Sequence, residues 1–304
     1  MKVLVTGGAG FIGSNLSIAL EQAGHEVVVF DDLSVGTKSN LTHFKGKIIE
    51  GDIRLLSHNS LSEINPEAIF HQAAITDTTV YDEKLMMDVN FGPMLPLLKY
   101  VELKKIPLIY ASSAAVYGSS HSPQKEDDAG HPLNIYGVSK WRCDEAVMEF
   151  LSTHPDAHVA GLRYFNVFGS GESKKGKMAS MIYQLSNQVL AGQKPRIFKW
   201  GEQKRDFVYV KDIVKLNLLA LEKKKSGIFN AGSGKASSFK EICHCIFHAL
   251  GKNENSEIDY FDNPYSGKYQ DHTQASLLKV HSELGYSPSW DLKSAITDYL
   301  KVGL

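Results

Sequence analysis

Five continuous apolar runs mark the first half of the chain: KVLVTG (2–7), HEVVVFDD (25–32), KGKIIEGD (45–52), EAIFHQAA (67–74) and PLIYASS (107–113). None alternates with polar residues, which is the pattern of strands buried on both faces. Between them, SNLSIALEQAG (14–24), NSLSEI (59–64), the stretch 86–105 and SKWRCDEAVMEFLSTH (139–154) carry apolar residues at helical spacing. HVAGLRYFNVFG (158–169) reads as one further strand. Strands alternating with helices imply right-handed crossovers and a doubly wound parallel sheet. Beyond 169 the pattern changes. A polar, glycine-rich loop, GSGESKKGK, leads into a helix over about 178–191. Short strands at KPRIFKW and RDFVYV come next, with helices at 212–224, 237–251 and 292–302 and an irregular stretch at 262–274. The pattern predicts an α/β fold with one sheet domain, 1–168 plus about 206–232, and a smaller C-terminal lobe from about 169–205 and 233–304.

Length and charge narrow the classes. A chain of 304 residues can bury a substantial core without disulfides. Lys plus Arg (33) nearly balances Asp plus Glu (34), which leaves no electrostatic case for nucleic acid or an anionic membrane. No apolar run approaches the roughly 18 residues of a membrane span, and the glycine-broken start does not read as a secretion signal. Three cysteines make no disulfide framework. The expected setting is the cytoplasm.

Chemistry enters at the first strand-to-helix turn. Gly7, Gly10 and Gly13 give a tight turn, a close backbone approach and an uncapped helix N-terminus, which together suit a pyrophosphate. Glycines alone are a weak signal in a chain with 25 of them. The position after strand one and the acid at the end of strand two, Asp31, sharpen it into a Rossmann-type dinucleotide site, with Asp31 accepting from a ribose diol. Asp32 beside it would repel a 2′-phosphate and favours NAD over NADP, while Lys38 offsets that if its loop folds back. By the rule that ligands gather at the carboxyl ends of parallel strands, Asp52 and Ile53 line the adenine side, and Gln72, Ala73 and Ala74 the pyrophosphate and nicotinamide ribose.

Tyr136 and Lys140 stand four apart, on one face of a helix. A tyrosine is a poor acid or base at its ordinary pKa of about 10, and a neighbouring ammonium favours the phenolate. Tyr100 and Lys104 show the same spacing within LLKYVELKK, which reads as a solvated helix face. The first pair is set apart by Ser113, at a strand end where its hydroxyl can meet both a substrate oxygen and the tyrosine.

TGGAGFIG (6–13), ASSAAVYG (111–118), YGVSK (136–140) and RYFNVFG (163–169) together resemble the extended short-chain dehydrogenase/reductases that act on nucleotide sugars. The resemblance implies a Rossmann domain with a small α/β substrate lobe, and it makes Ser113, Tyr136 and Lys140 the catalytic serine, tyrosine and lysine. It adds Phe11, Ile12, Asn90 and Val167 to the cofactor contacts. Dehydratases of that family carry an Asp-Glu pair after the serine; Ala114 and Ala115 stand here instead.

A narrower resemblance runs through HQAAITDTT (71–79), KLMMDVN (84–90), KKGKMASM (174–181), QKRDFVYVKD (203–212), SGIFNAGSGKASSF (226–239) and KYQDHTQASL (268–277), to the ADP-L-glycero-D-manno-heptose 6-epimerase family. It implies an isomerase acting on an ADP-activated heptose for lipopolysaccharide core assembly. The cofactor would be a tightly bound NAD or NADP, the latter being the family's usual choice, and the assembly a homo-oligomer, a pentamer. It assigns Lys175 as a second acid/base group facing Tyr136, and Asn166, Lys177, Gln184, Phe198, Arg205 and Tyr269 to the substrate. Lys177, Gln184 and Asp32 stand where serine, histidine and asparagine are expected. Without the resemblance, Lys174, Lys175 and Lys177 read as decoration of a loop.

Other features stay structural. Cys243 and Cys245 lie on different sides of one helix, and His244 and His248 have no third ligand at suitable spacing, so no metal site is expected. The aromatics of 164–165 and 207–209 read as packed strands rather than a base-stacking platform. Two readings compete with the heptose enzyme: an epimerase or reductase of another nucleotide sugar, such as a UDP-hexose 4-epimerase, and a catalytically silent dinucleotide-binding regulator. The latter has no need of Ser113, Tyr136 and Lys140 together.

Overall fold

A computed structural model describes residues 1–253, 256–263 and 272–303. The chain runs β1 (Lys2–Thr6), α1 (Phe11–Gln22), β2 (Glu26–Asp31), β3 (Lys47–Glu50), α2 (His58–Ile64), β4 (Ala68–His71), α3 (Glu83–Asn90), α4 (Met94–Lys104), β5 (Leu108–Ser113), α5 (Ile135–Thr153) and β6 (Val159–Tyr164). It continues through β7 (Asn166–Phe168), α6 (Met181–Leu190), β8 (Arg196–Phe198), β9 (Lys204–Tyr209), α7 (Val210–Lys223), β10 (Gly227–Ala231), β11 (Ala236–Ser238), α8 (Phe239–Ala249), β12 (Asp259–Phe261), α9 (Leu278–Leu284) and α10 (Leu292–Val302).

Seven parallel strands form the main sheet in the order β10-β6-β5-β4-β1-β2-β3. The strands read as uninterrupted apolar runs because both faces are covered. Val3, Val5, Phe70, Ile109 and Leu162 pack under α1, α7 and α9, and Leu4, Val28, Ile69, Leu108 and Val159 pack under α2, α4 and α5. The strand order reverses at β1, and a crevice opens there at the carboxyl ends. The smaller lobe holds β7-β9-β11 and β8-β12 with α6, α8 and α10, around Phe168, Ile182, Ile197, Phe207 and Ile246.

Three expectations are corrected. The helix expected over 86–105 is two helices, because Pro93 has no N–H to carry the ladder past Gly92, and α4 restarts with Pro93 at its N-cap and Pro96 in its first turn. The strand expected over 158–169 breaks at Phe165, whose N–H turns to Ala231 O (3.0 Å), so Asn166–Phe168 pairs with β9 in the other lobe. Tyr100 is not on a solvated face. It is fully buried, with its hydroxyl donating to Leu61 O, and Lys104 lies over its ring. Four elements had no counterpart in the sequence pattern: β10, the edge of the main sheet; β11, whose last two residues fall within the helix expected over 237–251; β12; and α9, which packs Val280 and Leu284 beneath the main sheet. No helix among the described residues is long and apolar enough to cross a membrane.

Beneath α5 the sheet ends in a buried polar layer. Arg163 on β6 and Asp144 on α5 are both essentially inaccessible and pair at 2.8 Å. Tyr110 donates to Asp144 (2.7 Å), and Arg163 also donates to Tyr117 Oη (3.1 Å) and Glu126 O (2.6 Å). The Glu126 carboxylate in turn receives Asn230 N (2.9 Å) from β10.

Candidate functional site

One cavity of about 760 Å³ runs along the carboxyl ends of the main sheet and reaches the loop at 169–180. Its floor is the turn from β1 to α1. Gly7 sits at φ +65°, and a side chain there would press to 2.5 Å from Ala73 N; one at Gly13 would meet Gly7 O at 2.1 Å. These two glycines let the turn and α1 close against the sheet. Gly10 caps α1 with no side chain, and the first turn contains no acid, so the free N–H groups of Phe11, Ile12 and Gly13 face the cavity with the positive end of the helix. This naked turn is the fit expected for a dinucleotide pyrophosphate.

Asp31, at the end of β2, lines the cavity next to Asp32. Its carboxylate accepts from Ala9 N and Leu33 N (both 2.9 Å), while burial pushes its pKa up against those bonds. Asp52 and Ile53 follow β3, and with them comes Arg54, which the sequence reading passed over. Its guanidinium clasps Asp52 (Nε–Oδ2 2.9 Å) and it too lines the cavity. Lys38 does not reach the lining; it pairs with Glu50 at 3.6 Å. Gln72, Ala73 and Ala74 follow β4 along the wall, and Val167 faces them from β7. Asn90 lies behind the lining. It is buried, accepts from Ile75 N (2.8 Å) and donates to Ser139 Oγ (3.0 Å), tying the wall after β4 to α5.

Ser113, Tyr136, Lys140 and Lys175, drawn from one strand end, one helix and one loop, all line this cavity. Asn134 caps α5 by accepting from Gly137 N (2.8 Å), which sets Tyr136 in the first turn. Gly137 is buried against the turn after β5. A side chain there would press to 2.9 Å from Ala115 O, so its absence brings α5 up to Ser113. Ser113 Oγ accepts Ala115 N–H (3.2 Å), which leaves its own proton to donate into the cavity. Lys140 is buried one turn below Tyr136 and donates to Ala111 O (2.9 Å). His71, nearby on β4, pairs with Thr6 Oγ1 (2.7 Å); burial and the Lys140 charge push its pKa down to about 3, so it adds no second positive charge.

Lys175 comes from the 169–180 loop and holds its ammonium 5.6 Å from the Phe11 ring centroid. Burial lowers its pKa from the ordinary lysine value, opposed by the Glu172 carboxylate. Lys174 and Met178 join it at the rim. The remaining candidates lie off this cavity. Asn166 is exposed at the start of β7, between the lining residues Phe165 and Val167, and Lys177 is exposed. Gln184 donates to Ala179 O (2.8 Å) and Lys177 O (3.2 Å), holding the loop's end. Phe198 packs on Phe261, and Arg205 is nearly buried, donating to Lys204 O (2.8 Å). Tyr269 lies outside the described residues. In the cysteine-histidine helix, Cys243 is fully buried with its thiol pushed up to about 12, which makes it a core residue. Ala114 and Ala115 form the turn after Ser113 and place no acid there.

Comparison with known proteins places this cavity in context. Residues 3–232 match the model of the NAD-dependent epimerase/dehydratase family. The ADP-L-glycero-D-manno-heptose-6-epimerase of Helicobacter pylori superposes with a TM-score of 0.89 at 38% identity, covering 99% of this chain and 95% of that one. The UDP-glucose 4-epimerase of Thermotoga maritima, solved with UDP-glucose, also reaches 0.89, at 29% identity over 99% and 98% of the two chains. The UDP-glucose-4-epimerase of Stenotrophomonas maltophila, solved with bound NAD, gives 0.87 at 27% identity over 99% and 97%.

Proposed function

This chain belongs to the NAD-dependent epimerase/dehydratase family, and within it we propose that the protein is an ADP-L-glycero-D-manno-heptose 6-epimerase, interconverting the D-glycero and L-glycero forms by transient oxidation at C6. The observation that carries the reading is Lys175, half-buried over Phe11 in the cavity that also holds Ser113, Tyr136 and Lys140. Inverting a carbinol centre through a ketone is well served by a proton-transfer group on each of its two sides, and this cavity offers one group from α5 and another from the opposing loop. The 38% identity to the Helicobacter pylori heptose epimerase over nearly the whole of both chains supports the same sugar.

When bound, the nicotinamide supplies the hydride acceptor and donor. The chain supplies the rest. Ser113 donates a hydrogen bond to the reacting oxygen. Tyr136 and Lys175 exchange its proton, one in each configuration. Lys140, fixed on Ala111 O, sets a positive charge under the phenol. Burial disfavours the ammonium form of Lys175 and so favours its service as a base, with the Glu172 carboxylate opposing that effect.

The cofactor is proposed to be NAD. Asp31, Asp32 and Asp52 present three carboxylates at the adenosine end of the cavity against the one guanidinium of Arg54, which is already engaged on Asp52, while Lys38 is turned to Glu50. A ribose 2′-phosphate brought there meets net negative charge.

One experiment addresses both proposals. Purified protein, with no added nucleotide, is incubated with ADP-D-glycero-β-D-manno-heptose and followed by NMR, while a parallel sample is denatured and its released nucleotide identified. Conversion to the L-glycero epimer and release of NAD are expected. Turnover of UDP-hexoses with no action on the heptose would move the assignment to the 4-epimerases. NADP in the denatured sample would overturn the charge argument at Asp32.

A further inference from the structure

The 169–180 loop is not a free lid. Glu172 within it is wholly inaccessible, yet it carries a carboxylate, and its oxygens accept from Gly169 N (3.0 Å), Ser180 N (2.6 Å) and Ser180 Oγ (3.1 Å). One side chain therefore joins the two ends of the loop. The backbone of Lys175 donates to Glu172 O (2.9 Å), so the lysine sits one turn along from the anchor. The loop is stitched outward as well: Asn15 of α1 donates to Ser170 O (2.8 Å), and Asn40 to Gly171 O (3.4 Å). These contacts fix Lys175 over Phe11, at the start of the helix that faces the pyrophosphate site.

We propose that Glu172 is a positioning residue for Lys175, closing the loop through its carboxylate and setting a buried acid one turn from the lysine. The charges around the pair can be named. On the loop, Lys174 and Lys177 are exposed to solvent. Tyr299 of α10 lies against Glu172, and Tyr183 of α6 and Tyr209 of β9 adjoin Tyr299. Across the cavity stand Tyr136 and Lys140 of α5. Burial raises the Glu172 pKa and lowers that of Lys175, and each charge opposes the effect of burial on the other. Glu172 thus limits how far the lysine is depressed, keeping it able to hold a proton in one direction of reaction and release it in the other.

The inference rests on the acid/base role proposed for Lys175 for its catalytic consequence, but its test does not need turnover. The protein as purified is acetylated with acetic anhydride at a series of pH values, and modification of Lys175 is read by mass spectrometry. Glu172→Gln keeps an acceptor for the loop but removes the charge, and the labelling midpoint of Lys175 is expected to fall by about one unit or more. Ser180→Ala loosens the same loop with the charge in place, and should leave the midpoint within about half a unit of wild type. An equal fall in both variants, or no fall in Glu172→Gln, overturns the proposal. Should the Gln variant fail to fold, Glu172→Asp decides. It retains the charge on a shorter arm, so the midpoint should hold while kcat drops several-fold, and a fallen midpoint counts against the pairing. A shifted midpoint in a protein that leaves the heptose untouched would keep the Glu172–Lys175 coupling and remove the proposed reaction.

Discussion

Lys175→Met is expected to cost roughly 10²–10⁴ in kcat for epimerisation, the range for loss of one positioned acid/base group, with folding and bound cofactor retained. Methionine keeps an unbranched apolar stem to cover Phe11. The cation–π contact it gives up at 5.6 Å contributes only about 0.5–1 kcal/mol. Tyr136→Phe should cost as much, since the ring stays in the first turn of α5 and only the hydroxyl is lost. The two variants should fail differently. If the two groups serve opposite configurations, each variant still oxidises the epimer whose proton goes to the surviving group, and reduced nicotinamide accumulates from that epimer alone. Mixing each variant with each pure epimer and following the absorbance of the reduced cofactor checks this. Oxidation of the same epimer by both variants, or near wild-type turnover by Lys175→Met, would sink the two-group scheme.

Sequence pattern reached as far as local causes reach. The turn from β1 through Gly7, Gly10 and Gly13 is decided by neighbouring residues, and it stands where the pattern put it. The continuous strands were legible because burial on both faces leaves no alternation to misread. Missed elements share a different cause. β10 is five residues long and owes its place to Ala160–Tyr164, more than sixty positions away, and β12 pairs with Arg196–Phe198 on the same terms. The split of 86–105 was within reach, since Gly92 and Pro93 stand in plain view; apolar periodicity outweighed them. At the site, spacing alone gave two tyrosine-lysine pairs. Depth separates them, because Tyr100 is sealed against Leu61 while Tyr136 opens on the cavity. Glu172 and Arg54 were not legible at all. A buried carboxylate closing a loop looks like any acid in a polar run, and a cation clasping Asp52 looks like a surface residue until the strand ends are assembled.

Asp144→Ala should be the costliest single change to stability, about 3–5 kcal/mol, because it leaves the Arg163 guanidinium charged and buried without its counter-ion. Arg163 is 1% exposed and Asp144 fully buried, so water cannot take the missing partner's place. The loss also strips Tyr110 Oη of its acceptor and frees α5 from β6, one turn beyond Lys140. A midpoint of thermal unfolding lower by on the order of 10 °C is expected, with a fall in kcat for the molecules still folded, since Tyr136 and Lys140 ride on the same helix. The comparison that isolates the cause is the double variant Asp144→Leu with Arg163→Met. Replacing both charges with apolar groups of similar length removes the stranded cation, so the pair should be less damaging than Asp144→Ala alone. Tyr117 and Glu126 O would still lose a donor, which keeps the double variant below wild type. Denaturant titrations of the three proteins measure this order. A double variant worse than the single would mean that the ion pair itself stabilises α5, rather than Asp144 serving mainly to neutralise Arg163.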